Sequence, residues 1–145
     1  MKHYTAENYN PITSIGVALG RARNQIVSDM DAALRDLDIN SQQMGIILSL
    51  GRGLANTPFE LSKLLDIDTG LMTRMLDKLE RQQVLQRERS LDDRRMVNLQ
   101  LTRHGKQVAA EIPHRAPQVL NNRLKEFSAA EFQELQRLLA KFVGA

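Results

Sequence analysis

The sequence predicts a mainly α fold carrying one small β-hairpin, and three observations between Thr57 and Thr102 predict it. The run TPFELSKLLDIDTGLMTRMLDKLERQQVLQRERS reads as two capped amphipathic helices in close succession. After Val84-Leu85-Gln86-Arg87-Glu88-Arg89 and a polar turn, a second strand alternates strictly, with Val97, Leu99 and Leu101 on one face and Asn98 and Gln100 on the other. The turn between the strands, Ser90-Leu91-Asp92-Asp93-Arg94-Arg95, sets two guanidinium groups beside two carboxylates at a projecting tip. Helix, turn, helix and two-stranded ribbon is the order of a winged helix-turn-helix, for which reading duplex DNA is the default expectation.

Taken from the N-terminus, Asn10 and Pro11 form a cap and first-turn pair. They are expected to open a helix whose Ile15, Leu19, Ala22, Ile26, Met30, Ala33 and Leu37 repeat at spacings of three and four. Asn40, with Gln43 in the capping-box position, starts a second helix through Met44, Ile47, Leu48 and Leu50 towards Gly51 and Gly53. Thr57 caps the third: Pro58 takes the first helical position, Glu60 closes the capping box, and Phe59, Leu61, Leu64 and Leu65 form its apolar face.

Asp68 caps the fourth helix, which turns Leu71, Met72, Met75, Leu76 and Leu79 inward. The hairpin strands follow. Thr102 then caps a helix through Val108, Ala109 and Ile112, where Pro113 and Pro117 predict a kink. Ser128 and Glu131 make a last capping box ahead of Phe132, Leu135, Leu138, Leu139 and Phe142. Two terminal helical regions with apolar stripes and no third layer to cover them imply a second chain; the alternative is an intramolecular helical pair in a monomer.

The outward positions of the fourth helix are Thr69, Gly70, Thr73, Arg74, Asp77, Lys78 and Arg81. Short hydroxyls and bases suit the major groove, where arginine reads guanine and threonine methyls meet thymine methyls. A solvated helix face has the same composition. The tip arginines have two readings as well: insertion into a minor groove, whose narrow A·T tracts deepen the negative potential, or surface pairing with Asp92 or Asp93. Both can hold if one pair braces the loop while the other arginine stays free.

Composition narrows the classes. The chain has 145 residues, 42% of them hydrophobic, which supports one domain. A net charge of +3 with pI near 9.5 favours phosphate mildly. Between Thr57 and Lys106, however, ten Lys/Arg face eight Asp/Glu, so a binding face must come from a few placed arginines. No cysteine is present, which excludes disulfides and thiol redox switches. No apolar run approaches the roughly 20 residues of a membrane span, and MKHYTAENYNP lacks a signal-peptide core, so the expected location is the cytoplasm.

Catalysis finds no constellation. His3, His104 and His114 are scattered without a serine or cysteine partner; Asp92-Asp93 sits on a wet hairpin tip; Gly51-Arg52-Gly53 lacks the strand a phosphate loop needs; no thiolate-histidine set exists for zinc. No cofactor and no metal are expected.

The stretch DTGLMTRMLDKLERQQVLQRE followed by DDRRMVNLQLTRHG resembles the MarR family of bacterial transcriptional regulators, and the likeness extends over nearly the whole chain. Gln83 departs from it, standing where the family commonly has glycine. The resemblance implies one domain over 1–145, with 10–38 and 103–145 as dimerisation helices and 40–102 as the winged helix. It further implies a homodimer joined through both termini, a double-stranded DNA operator, no membrane association, and a small-molecule effector, with aromatic carboxylates as its class.

DNA contacts are expected from Thr69, Gly70, Thr73, Arg74, Lys78, Asp93, Arg94 and Arg95, where Arg95 matches the family's groove-inserting arginine and Asp93 its brace. For an effector in the cleft between dimerisation helices and winged helix, Arg21 and Arg23 are candidate anion partners, and Tyr4, Tyr9 and Met44 candidate apolar or stacking surface; ordinary surface or packing is the more economical reading of each. The expected function is a sequence-specific regulator, a repressor, on a pseudo-palindromic site. The alternatives are an architectural DNA-binding protein without a dedicated ligand, and an enzyme or metabolite-binding protein with a vestigial winged helix.

Overall fold

A computed structural model describes all of residues 1–145 as six α-helices and one hairpin. Helix α1 spans Ile15–Leu34 and passes through a 3-10 turn, Arg35–Leu37, into α2 (Ser41–Gly51). Helices α3 (Pro58–Leu65) and α4 (Thr69–Arg81) follow, then the antiparallel strands β1 (Leu85–Arg89) and β2 (Val97–Leu101). The chain closes with α5 (Arg103–Leu124) and α6 (Ala129–Val143).

Caps explain most of the starts. Asn40 with Gln43, Thr57 with Glu60, and Ser128 with Glu131 form reciprocal capping boxes, while Asp68 accepts the Leu71 backbone N–H at 3.0 Å. Helix α1 differs from expectation. Asn10 accepts the Ile12 N–H at 2.9 Å and so closes a turn, while the helix itself starts beyond Ser14, whose hydroxyl is its cap. Helix α5 also differs: it runs unbroken past Pro113 and Pro117. Each proline there removes one backbone donor, and the packing of Val108, Ile112 and Val119 against the core holds the helix together.

The core is a cluster in which Leu34, Ile46, Ile47, Leu61, Met72, Leu76, Leu79, Leu85 and Ile112 are almost wholly buried. It joins α1, the three helices of the winged helix, the hairpin base and α5. Two ion pairs lock α5 to α1 and the 3-10 turn that follows it. Arg115 engages Asp36 and donates to the Ala33 carbonyl at 3.2 Å, and Arg123 meets Asp29 at 2.6 Å. The Arg115 guanidinium holds the Asp36 carboxyl below the usual carboxylate range.

Phe59 and Leu64 are corrections to the expected apolar face of α3. They point to solvent, with Lys63 Nζ 4.5 Å above the Phe59 ring, and Leu61 alone of the four is fully buried. Helix α6 buries none of its residues, so Phe132, Leu138, Leu139 and Phe142 stand exposed. No helix is long and apolar enough to cross a membrane.

Candidate DNA-binding surface

The second helix of the helix-turn-helix is α4, and its inward side carries Met72, Met75, Leu76 and Leu79 into the core. That anchoring turns Thr69, Gly70, Thr73, Arg74, Lys78 and Arg81 outward, and all six are exposed. Thr73 donates its hydroxyl proton to the Thr69 carbonyl at 2.9 Å, which favours one rotamer of an exposed side chain. Lys78 and Arg81 lie in the last turn of the helix, where the helix dipole favours cations.

The junction from α4 to the hairpin is tight. Gln83 has φ +58°, a left-handed conformation in which a side chain costs energy and glycine does not. The turn therefore keeps the geometry of a glycine corner with glutamine in it. On the other side, Thr102 Oγ1 lies against the Gln83 and Val84 carbonyls and accepts the Gly105 N–H at 3.0 Å. Gly105 admits no substitute at this approach: a Cβ there would fall 1.9 Å from the Val84 oxygen.

The hairpin pairs Leu85 with Leu101, Arg87 with Leu99 and Arg89 with Val97. Leu85 and Leu99 bury its base, and Leu99 N–H donates to the Asn56 carbonyl at 2.7 Å, tying β2 to the connection between α2 and α3. The wing tip is held by its own short polar side chains. Ser90 Oγ accepts the N–H groups of Asp92 and Asp93 at 3.3 Å each, and Asp93 Oδ1 accepts the Arg95 N–H at 2.9 Å.

Asp93 thus braces the loop through Arg95's backbone, and neither it nor Asp92 pairs with a guanidinium. Arg94 and Arg95 are exposed and unpaired. Of the expected contact residues, then, the structure places Thr69, Gly70, Thr73, Arg74 and Lys78 on one helix face and Arg94 and Arg95 on the wing. Asp93 is exposed in the tip loop, bonded to the Arg95 backbone.

Sequence reasoning missed Arg87. From β1 it reaches back to α4, donating to Asp77 at 2.8 Å and to Glu80 at 2.9 Å. The signal was present, since a charged residue occupies an inward strand position directly opposite an apolar one. The two carboxylates that would repel a phosphate backbone from α4 are thereby paired with a cation.

The five effector candidates are not gathered. Tyr9 stands edge-on to Tyr4 near the N-terminus with ring centroids 5.8 Å apart, Arg21 and Arg23 are exposed on α1, and Met44 packs against the core from α2. None of them lines the apolar cavity of about 450 Å³ between α2, α5 and α6, which is formed by Leu48, Ile112, Leu120 and Phe132 with Arg52 and Gln136 among the polar lining residues.

A cationic and hydroxyl-bearing helix presented beside an arginine-tipped wing defines the class of winged-helix, DNA-binding transcriptional regulators, a class without enzymatic activity. Comparison with known proteins narrows it. The profile of the MarR family matches residues 39–97. Over 140 residues the chain is 30% identical to the multiple antibiotic resistance protein MarR of Salmonella typhimurium, covering 96% of this chain and 97% of that one. A cysteine-to-serine mutant of Escherichia coli MarR, solved in complex with operator DNA, superposes with a TM-score of 0.82 at 29% identity over 93% of this chain and 97% of that chain. BpsR of Bordetella bronchiseptica, whose DNA binding is regulated by 6-hydroxynicotinic acid, shares the fold at a TM-score of 0.82 and 22% identity over 94% and 98%. This chain belongs to the MarR family.

Proposed function

We propose that the protein is a sequence-specific repressor that binds a pseudo-palindromic operator as a homodimer in the cytoplasm and is released by a small aromatic carboxylate. The observation that carries this reading is the pairing of α4, with Thr69, Thr73, Arg74 and Lys78 outward, and a wing whose Arg94 and Arg95 have no protein partner. One element fits the major groove, where bidentate arginine and threonine methyls discriminate bases, and the other fits the adjacent minor groove. The relative crystallised on operator DNA supports the same assignment.

Helix α6, with no buried residue in its own chain, supports the dimer. Two copies related by a two-fold axis read half-sites about one helical turn apart, roughly 10 bp. For the effector, the cavity between α2, α5 and α6 has the apolar lining and single cation that an aromatic acid requires, and Arg52 is the group offered to its carboxylate.

Fluorescence anisotropy against DNA flanking the protein's own gene tests the reading, with a salt series and a panel of aromatic carboxylic acids. Tight binding to one site that far exceeds binding to scrambled DNA, and falls when an acid is added, is the expected result. Equal affinity for every sequence would replace it with an architectural role.

A further inference from the structure

Arg87 occupies a place that the strand pattern reserves for an apolar side chain. It shares the inward face of the hairpin with Leu85, Leu99 and Leu101, and its cross-strand partner Leu99 is 2% exposed. Its own side chain is 28% exposed, so it is partly shielded from water. Asp77 and Glu80, themselves 46% and 43% exposed, pair with its guanidinium. Three residues apart on α4, they share one helix face, and each takes a separate terminal nitrogen, Nη2 at 2.8 Å and Nη1 at 2.9 Å. A lone exposed ion pair contributes little, but two carboxylates on one planar fork also fix its orientation.

The position of this clamp matters more than its strength. The wing is tied to the body on the β2 side by the backbone hydrogen bond from Leu99 to Asn56, and on the β1 side by the Arg87 side chain. The tip begins at Ser90, three residues or about 10 Å further along the strand. A small rotation of the ribbon at its base therefore displaces Arg94 and Arg95 relative to α4. The geometry points to Arg87 as a positioning residue: it sets the separation between the major-groove helix and the wing arginines so that both engage one duplex together, and it contacts no DNA itself. This rests on the DNA-binding reading above.

Electrostatics alone and positioning make opposite predictions for one variant. Replacing Asp77 and Glu80 by Asn and Gln removes two negative charges from a DNA-binding helix, which by charge alone tightens binding. Loss of the clamp instead weakens it. Operator affinity, dimer mass and hydrogen exchange are measured for the wild type, Arg87→Gln, Arg87→Lys, the Asp77→Asn/Glu80→Gln double variant, Arg95→Ala, and Arg87→Gln/Arg95→Ala. The expected result is a roughly tenfold loss in Arg87→Gln and in the double variant, partial recovery in Arg87→Lys, and a smaller cost of Arg95→Ala once Arg87 is gone. The double variant keeps the test decisive should Arg87→Gln fail to fold. Wild-type affinity in Arg87→Gln, tighter binding by the double variant, or full additivity with Arg95→Ala would overturn the inference. A wild type that binds no DNA would overturn the functional reading instead. Unchanged hydrogen exchange across Leu85–Leu101 in DNA-free Arg87→Gln would overturn the clamp itself.

Discussion

At the tip of the wing, Asp93 takes up the Arg95 backbone N–H and leaves both guanidinium groups to solvent. Arg95→Ala should therefore weaken operator binding by roughly 1–3 kcal/mol while leaving the dimer and the loop intact, as an anisotropy titration beside light scattering would record. Arg74→Ala and Thr73→Ala should behave differently and relax discrimination among operator bases; a uniform loss across sequences would make them phosphate contacts. Gln83 offers a stability test. Its φ of +58° costs a side-chain-bearing residue about 1–2 kcal/mol, and glycine returns part of that as unfolded-state entropy. Gln83→Gly should thus raise stability by about 0.5–1 kcal/mol in urea unfolding. The arginines at the tip were legible in sequence because a turn is local. What Arg87 bonds to was not, because its reach to a helix is decided by the distance between elements.

Helix starts were the most readable features, since a cap and its third residue interact within one turn. Thr57, Asn40, Asp68 and Ser128 all cap as their sequence context requires. Asn10-Pro11 carries the same local signal and ends in a turn, because Ser14 and the hydrogen bond from Ile15 N–H to the Tyr4 hydroxyl define a later start. Burial was less readable than helicity: Phe59 and Leu64 obey helical spacing yet face water, since the core side of α3 is decided by α2 and α4.

The capping boxes also give a pH dependence. The Asn56 and Thr57 amides hold the Glu60 carboxyl below its ordinary range, and the Ser128 amide with its hydroxyl does the same for Glu131. With the folded pKa depressed, the stabilisation is complete above the unfolded value of about 4.3 and is lost as pH falls through the lower folded value. Thermal midpoints should drop below about pH 4, and Glu60→Gln/Glu131→Gln should flatten that drop, since an amide caps without titrating.

The molecule as a whole is a finished winged helix joined to unfinished ends. Val119 is the last buried residue of the chain, and beyond it Phe132, Leu138, Leu139 and Phe142 wait for a surface that the chain does not supply. The unpaired stripes of α1 and α6 were legible from their spacing, whereas the apolar cavity between α2, α5 and α6 was not, because three segments far apart in sequence make it. Deleting Ser128–Ala145 should yield a monomer or an aggregate that has lost operator affinity, by light scattering and anisotropy; a folded deletion that still dimerised and bound normally would move the interface elsewhere.

A helix that buries nothing within its own chain also makes the protein's abundance a thermodynamic variable. Every tenfold dilution removes about 1.4 kcal/mol from the free energy favouring the associated form. Melting temperature should then climb with protein concentration. In a cell holding few copies, the occupancy of an operator would follow the square of synthesis more closely than its first power, so that a modest fall in production empties the site abruptly.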